Sequence, residues 1–365
     1  MIWRCDLVKQ YKHYEKAILL AIKKVCGSGK YVLGKEGELF EQEFASYCQS
    51  AFGVGVASGT EALYLSLLAL DLKEGDEVIT SPFTPVPTVS SIVMAGARPV
   101  FVDIGEDYLL DVEKLKRSIT KRTKVIMPVH LFGHMVEMDE LMKIAKRNGV
   151  FVVEDACQAH GSLYNGKKAG AIGHLGCFSF YPTKNLGGYG DGGMITTDDQ
   201  KLADKLRLLR DYGRDGLFTS AIPGVNSRLD EIQAAILRIK LRDLDEMNEK
   251  RVKLAEIYFS SLRDLPLAFI GKTQSVQPNY HVLTARCPHG RDDLLNYLKK
   301  KNIQTNVYYP ISMHMQKAYA YLGYKKGDFP VSEKACKEVI AFPMYPELKP
   351  AVVKKICSQI NKFYD

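Results

Sequence analysis

From about residue 50 to residue 155 the chain alternates two kinds of apolar run. DEVITSP, ARPVFVDI, KVIMPVHLFG and VFVVEDA are short and nearly continuous in β-branched and aromatic residues. Between them, SGTEALYLSLLAL, TVSSIVMAG, LDVEKLKRSI and MDELMKIAKRNG carry helix-like patterns. Strands that are apolar on both faces belong to a sheet covered on both faces. Regular strand–helix alternation builds that sheet from parallel strands joined by crossover helices. An α/β fold with a mostly parallel central sheet is therefore expected. After GGMITT the pattern changes to a long helical stretch from about Ser227 to Leu262. It then becomes a smaller α+β mixture: a strand in YHVLTARC, a helix in RDDLLNYLKKKN, a short NVYYP segment and a terminal helix. This divides the chain into a large domain over residues 1–244, opened by an N-terminal helix, and a small C-terminal α+β domain over residues 245–365.

Several function classes are excluded early. At 365 residues, with 46% hydrophobic and 25% charged side chains, the chain has the profile of an ordinary globular protein. No apolar run approaches the roughly 18 residues of a membrane helix. The opening MIWRCDLVKQYKHYEKAILLAIKK reads as an amphipathic helix, not a signal peptide. The net charge of +8 is spread among acids, and its densest run, Lys299 to Lys301, reads as the solvated end of a helix. No nucleic-acid partner is expected, and a basic excess suits a small anionic substrate. None of the eight cysteines forms a C-x-x-C pair, so neither zinc nor a disulfide framework is expected, and the reducing cytoplasm is inferred.

Three motifs fail on context. GSGKY at 27–31 lacks the first glycine and the Ser/Thr of a P-loop. Gly188, Gly190 and Gly193 satisfy G-x-G-x-x-G but lead into a strand, not a helix. His130 and His134 are four apart, but Gly133 and a strand-like lead-in oppose a helical metal pair, and both read as structural.

Three other features carry chemistry. Ser58-Gly59-Thr60-Glu61 precedes an apolar helix, and reads both as a capping box and as a phosphate cradle at a helix N-terminus. Glu154-Asp155 ends a strand, where α/β sheets place ligands, and an acid there is either a cap for the next turn or a ligand group. Lys184 lies between the aromatic run CFSFYP and the glycine-dense NLGGYGDGG. A desolvated lysine loses pKa and becomes a nucleophile toward an aldehyde. A carboxylate facing a pyridine nitrogen keeps it protonated, so that the ring can accept electrons. A phosphate-binding helix start, a carboxylate and a lysine in this order describe a pyridoxal 5'-phosphate (PLP) site.

The chain resembles the DegT/StrS-type nucleotide-sugar aminotransferases over nearly its whole length. YVLGKEGELFEQEFASYCQSAFGVGVASGTEAL, VVEDACQAHGS, FSFYPTKNLGGYGDGGMITT, VNSRLDEIQAAILRIKL and YYPISMHMQ carry the likeness. The resemblance implies a PLP transferase of aspartate aminotransferase-like fold (fold type I). It implies that Lys184 bonds the cofactor as a Schiff base, Asp155 pairs with the ring nitrogen and Gln158 lies by the ring hydroxyl. Gly59, Thr60 and Ser179 would hold the phosphate, and Asn226 that of the neighbouring subunit, in a homodimer with shared sites. His160 is a candidate catalytic residue, and His314 and Tyr309 are candidates for binding substrate; a structural, hydrogen-bonded role is the alternative for the two histidines.

One segment departs from the family pattern. In Phe83-Thr84-Pro85-Val86-Pro87-Thr88, Pro85 stands where the family carries the aromatic that covers the cofactor ring. The implied reaction moves an amino group from L-glutamate to a keto-sugar, with Lys184 as general base and acid. NLGGYGDGG and NSRLDE resemble members acting on carbon 3 of a nucleotide-linked deoxysugar. A 4-keto nucleotide sugar, a non-nucleotide keto substrate, and dehydration or elimination on the same fold are the alternatives.

Overall fold

The computed structural model describes residues 1–270 and 273–365. In chain order its elements are α1 (Leu7–Ser28), α2 (Lys35–Cys48), β1 (Phe52–Val56), α3 (Gly59–Ala69), β2 (Glu77–Thr80), α4 (Val86–Met94) and β3 (Arg98–Phe101). There follow α5 (Val112–Leu115), β4 (Thr123–Ile126), α6 (Met138–Asn148), β5 (Phe151–Asp155), β6 (Leu163–Tyr164), β7 (Lys167–Lys168), β8 (Leu175–Ser179) and β9 (Gly193–Thr197). The remainder comprises α7 (Gln200–Leu209), α8 (Glu231–Leu241), α9 (Leu244–Ser261), β10 (Ala268–Phe269), β11 (Val276–Gln277), β12 (Leu283–Arg286), α10 (Arg291–Lys300), α11 (Pro330–Glu338), β13 (Val339–Phe342) and α12 (Pro350–Tyr364).

Seven strands form the central sheet in the order β1-β9-β8-β5-β4-β2-β3. The pairs from β3 through β8 are parallel, and β9 runs antiparallel to both β8 and β1. Successive side chains in a strand point to opposite faces, and the sheet builds two cores this way. Val78, Val125, Val153, Cys177 and Ile195 pack with α3 on one face. Ile79, Ile126, Val152, Phe178 and Met194 pack on the other. This is why the strands read as continuous apolar runs.

Three elements differ from the sequence expectation. The stretch from Ser227 to Leu262 is two helices, α8 and α9, broken at Arg242–Asp243. The helix expected in LDVEKLKRSI shrinks to the four residues of α5. The N-terminal helix begins at Leu7, where the Asp6 carboxylate accepts from Lys9 N–H at 3.2 Å. The residues before it run beside the C-terminal part, with Ile2 bridging Ile303. Helix α9 starts at Leu244, and its later residues Leu254 and Tyr258 join α12, β12 and β13 in a second core, to which Ile2 and Cys5 add.

One cap spans most of the chain. The N-terminus of α2 has only Gly34 as its local cap. The buried Glu231 carboxylate of α8 accepts instead from the N–H groups of Gly34, Glu36 and Gly37 at 2.8–2.9 Å. A carboxylate at a helix start satisfies orphan donors and complements the helix dipole.

Candidate active site

Strands β1, β2, β5 and β8 end on one edge of the sheet, and the segments that follow them enclose a cavity of about 260 Å3. Its lining includes Gly59 and Thr60 after β1, Pro85, Pro87 and Thr88 after β2, Asp155 and Cys157 after β5, and Ser179 and Lys184 after β8. Parallel-sheet folds bind ligands in this position.

The start of α3 forms one end. Ser58 Oγ accepts from Glu61 N–H at 3.2 Å, which is the expected cap. The first N–H groups of a helix have no intrahelical acceptor, so Gly59 and Thr60 present donors at the positive end of the dipole. Close approach here demands glycine. A Cβ on Gly59 would lie 2.5 Å from Ser179 Cβ and 3.0 Å from Cys157 Sγ. A Cβ on Gly193 would lie 2.3 Å from the Ser58 carbonyl oxygen.

The two acids at the end of β5 separate by strand alternation. Glu154 is buried on the face away from the cavity. It accepts from His130 Nε2 at 2.9 Å, Gly170 N–H at 2.9 Å and Ile172 N–H at 2.7 Å. Burial works to raise its carboxyl, but the bonds to His130 and to the Gly173 and Gly170 amides hold it below the usual range. Asp155 lines the cavity, with Oδ1 accepting from Cys157 N–H at 3.2 Å and Oδ2 from Thr88 Oγ1 at 2.8 Å.

Lys184 sits in a turn closed by its own N–H to the Tyr181 carbonyl at 2.8 Å. It is partly buried, because the surface it keeps is cavity surface. Desolvation pushes its amine below the ordinary lysine pKa, while Cys157 and Asp155 pull it back up. The neighbouring Asn185 is buried, donating to Asn248 Oδ1 at 2.8 Å and pairing with His281 Nδ1 at 3.0 Å. These bonds tie the lysine loop to α9 and to the segment before β12.

The other expected site residues lie outside the cavity lining. Gln158 is buried, its Oε1 accepting from Phe132 N–H at 2.8 Å and its Nε2 donating to Tyr309 Oη at 2.9 Å. Tyr309 stacks on Phe132 at 5.9 Å between ring centroids. His160 is 1% exposed and packs among Phe44, Phe178 and Phe180. Burial, with the Lys184 charge adding, pushes its pKa down to about 3, so the ring is neutral. His314 is buried between Ser312 Oγ at 2.8 Å and Glu333 Oε1 at 3.2 Å. Asn226 is exposed and paired with Asp211 in an isolated bridge. Phe83 is fully buried against Tyr108, Phe132 and Tyr309, so it does not replace the aromatic missing at Pro85. Thr88, Cys157 and Tyr181 line the cavity without having been singled out in the sequence. A threonine inside an apolar helix start was the one available signal for Thr88.

A helix N-terminus with free N–H donors, a carboxylate and an amine of lowered pKa on one cavity have the chemistry to hold a phosphorylated pyridine aldehyde. The model of the DegT/DnrJ/EryC1/StrS aminotransferase family matches residues 12–361. The chain is 42% identical to the pleiotropic regulatory protein of Geobacillus stearothermophilus, over 98% of this chain and 97% of that one. It is 41% identical to the dTDP-3-amino-3,6-dideoxy-alpha-D-galactopyranose transaminase of Aneurinibacillus thermoaerophilus, over 100% and 99% of the two chains. Among solved structures, S. venezuelae DesV in complex with a ketimine intermediate superposes with a TM-score of 0.97 at 39% identity, covering 99% of this chain and 98% of that one. This chain therefore belongs to the DegT/DnrJ/EryC1/StrS aminotransferase family.

Proposed function

We propose that this PLP-dependent aminotransferase moves the amino group of L-glutamate to a nucleotide-linked 3-keto-deoxysugar, giving an amino sugar. The observation that carries the reading is the convergence of Lys184, Asp155 and the α3 N-terminus on one cavity at the carboxyl edge of the sheet. The cofactor supplies an aldehyde carbon that bonds amines and a ring that accepts electrons. The chain's own residues supply the rest. Gly59, Thr60 and Ser179 bind the phosphate. Asp155 holds a fixed negative charge toward the ring nitrogen, which favours developing positive charge there. Lys184, its amine held toward the neutral form by burial, would take a proton from the donor's α-carbon as general base and give it up as general acid within the same half-reaction; in the other half-reaction it would deliver a proton to the former keto carbon of the sugar. Gln158 and Tyr309 brace each other beside the site, and neutral His160 adds no second positive charge near Lys184.

The 3-keto choice is supported by NLGGYGDGG and NSRLDE, and by the 3-amino sugar named for the A. thermoaerophilus relative. A homodimer with shared sites is supported by Asn226, exposed and outside this chain's own cavity lining. In the same connecting segment Leu217 and Phe218 are 79% and 93% exposed, as residues awaiting a second copy would be. No helix among the described residues is long and apolar enough to cross a membrane. All eight cysteines are unpaired, which supports a reducing, cytoplasmic setting.

The test is product formation. With L-glutamate and a dTDP- or UDP-linked 3-keto sugar, mass spectrometry should find the amino sugar and 2-oxoglutarate in equal amounts. Faster amination of the matching 4-keto sugar would overturn the carbon-3 assignment. Lack of 2-oxoglutarate with every keto-sugar would overturn the donor.

A further inference from the structure

Asp155 is held by a donor on each oxygen, the Cys157 N–H on Oδ1 and the Thr88 hydroxyl on Oδ2, with the Cys157 thiol also within hydrogen-bonding reach of the carboxylate. We propose that Thr88, backed by Thr84, is a positioning residue that aims the Asp155 carboxylate at the cofactor ring; this rests on the reading of Asp155 given above.

Proton bookkeeping fixes the order of the chain. An ionised carboxylate only accepts, and a threonine hydroxyl has one proton to give. Thr88 Oγ1 therefore donates to Asp155 Oδ2 at 2.8 Å, and must itself accept from Thr84 Oγ1 at 3.0 Å. Both hydroxyls are buried, Thr88 at 0% and Thr84 at 1% exposure, so water does not substitute for them.

The surrounding backbone supports this arrangement. Thr88 lies in the first turn of α4, which opens Pro85-Val86-Pro87, and its N–H closes on the Pro85 carbonyl at 3.2 Å. The two prolines fix the local φ and supply no N–H, so they narrow the choice of donors for the carboxylate on this wall to the Thr88 side chain. Both prolines and Thr88 line the cavity together with Asp155. The terminal torsion of an aspartate is broad. Two donors on opposite oxygens select one setting, and each oxygen keeps a lone pair for a group inside the cavity. Without Thr88, Oδ2 loses the hydroxyl that orients it.

Thr88→Val keeps the shape and removes the donor; Thr88→Ser keeps the donor and removes a methyl. The measurements are PLP dissociation by fluorescence titration, and kcat and KM for the glutamate half-reaction. Loss of a hydrogen bond to a charged group predicts about tenfold weaker PLP retention in T88V. In the same variant kcat should fall and KM for glutamate hold. T88S should recover most of the retention. T84V, which removes only the backing donor, should lose about threefold and carries the test should T88V not fold. Because Thr88 acts through Asp155, T88V should cost nothing further in a D155N background. Retention in T88V equal to wild type, or a T88S as impaired as T88V, overturns the proposal. If D155N itself retains PLP like wild type, the Asp155 reading fails; if D155N weakens retention and T88V does not, only the Thr88 proposal fails.

Discussion

Replacing Gly59 by alanine separates the stability of the fold from the geometry of the proposed phosphate cradle. The new methyl would sit 2.5 Å from Ser179 Cβ, 3.1 Å from Ser179 Cα and 3.0 Å from Cys157 Sγ. Carbon atoms rest about 3.5–4.0 Å apart, so α3 and β8 must part by about 1 Å. Overpacking of this kind costs about 1–3 kcal/mol. Alanine offsets about 1 kcal/mol of that, through helix propensity and a less free unfolded chain. The net loss in the cofactor-free protein is then small, about 0–2 kcal/mol. The cradle suffers more. Charge-assisted hydrogen bonds at Gly59 and Thr60 are each worth about 1.5–3 kcal/mol and weaken with an ångström of displacement. PLP retention should fall about 10–100-fold. The assay pairs a PLP titration with calorimetry of the cofactor-free protein. Gly27→Ala is the control: its Cβ meets nothing within 4 Å, so it should stabilise slightly and leave retention unchanged. Wild-type retention in Gly59→Ala would refute the placement of the phosphate at the start of α3.

Three further outcomes follow from the packing. Glu231→Ala strands the N–H groups of Gly34, Glu36 and Gly37 and should cost about 3 kcal/mol; a denaturant midpoint equal to wild type would refute the long-range cap. His160 has a folded pKa of about 3 against an ordinary 6.5. The unfolded chain binds its proton first, so stability is full above pH 6.5 and lost as pH falls toward 3, by about 1.4 kcal/mol per pH unit. His160→Phe should flatten that part of the acid denaturation curve, and an unchanged slope would place the titration elsewhere. Buried Lys240 donates to Gln10 Oε1 and to the Gly187 carbonyl, and desolvation lowers its pKa to about 8. Its folded form gives up its proton before the unfolded form does, so its contribution to stability should rise between pH 8 and 10.5. The difference between wild type and Lys240→Met, read by thermal melts, should rise in the same window; a pH-independent difference would contradict the assignment.

What was legible in the sequence was whatever is local. The parallel sheet showed in the apolar runs because each strand of its interior is buried on two faces. The cap at Ser58 and the acid at the end of β5 showed because strand ends and helix starts have their own residue preferences. Which of Glu154 and Asp155 faces the cavity came from the family likeness and not from the local pattern, because it depends on the register of β5 against β4 and β8. The cap from Glu231 was hidden by the 197 residues between it and Gly34. The break at Arg242–Asp243 was hidden because LRDLDEMNEK keeps a helical pattern through it. His160 and Gln158 were legible as motif members, but their settings, a cage of three phenylalanines and a bond to Tyr309, are made by residues distant in the chain. Thr88 escaped notice for the same reason, since its partner Asp155 lies 67 positions away.

The role of Lys184 is read from the visible absorbance of the purified protein with PLP, before and after L-glutamate, followed by borohydride reduction and peptide mapping. A Schiff base on Lys184 gives a visible band that glutamate abolishes, and a reduced label on Lys184 alone when glutamate is omitted. A band that persists with glutamate, or a label on any other lysine, would contradict that role.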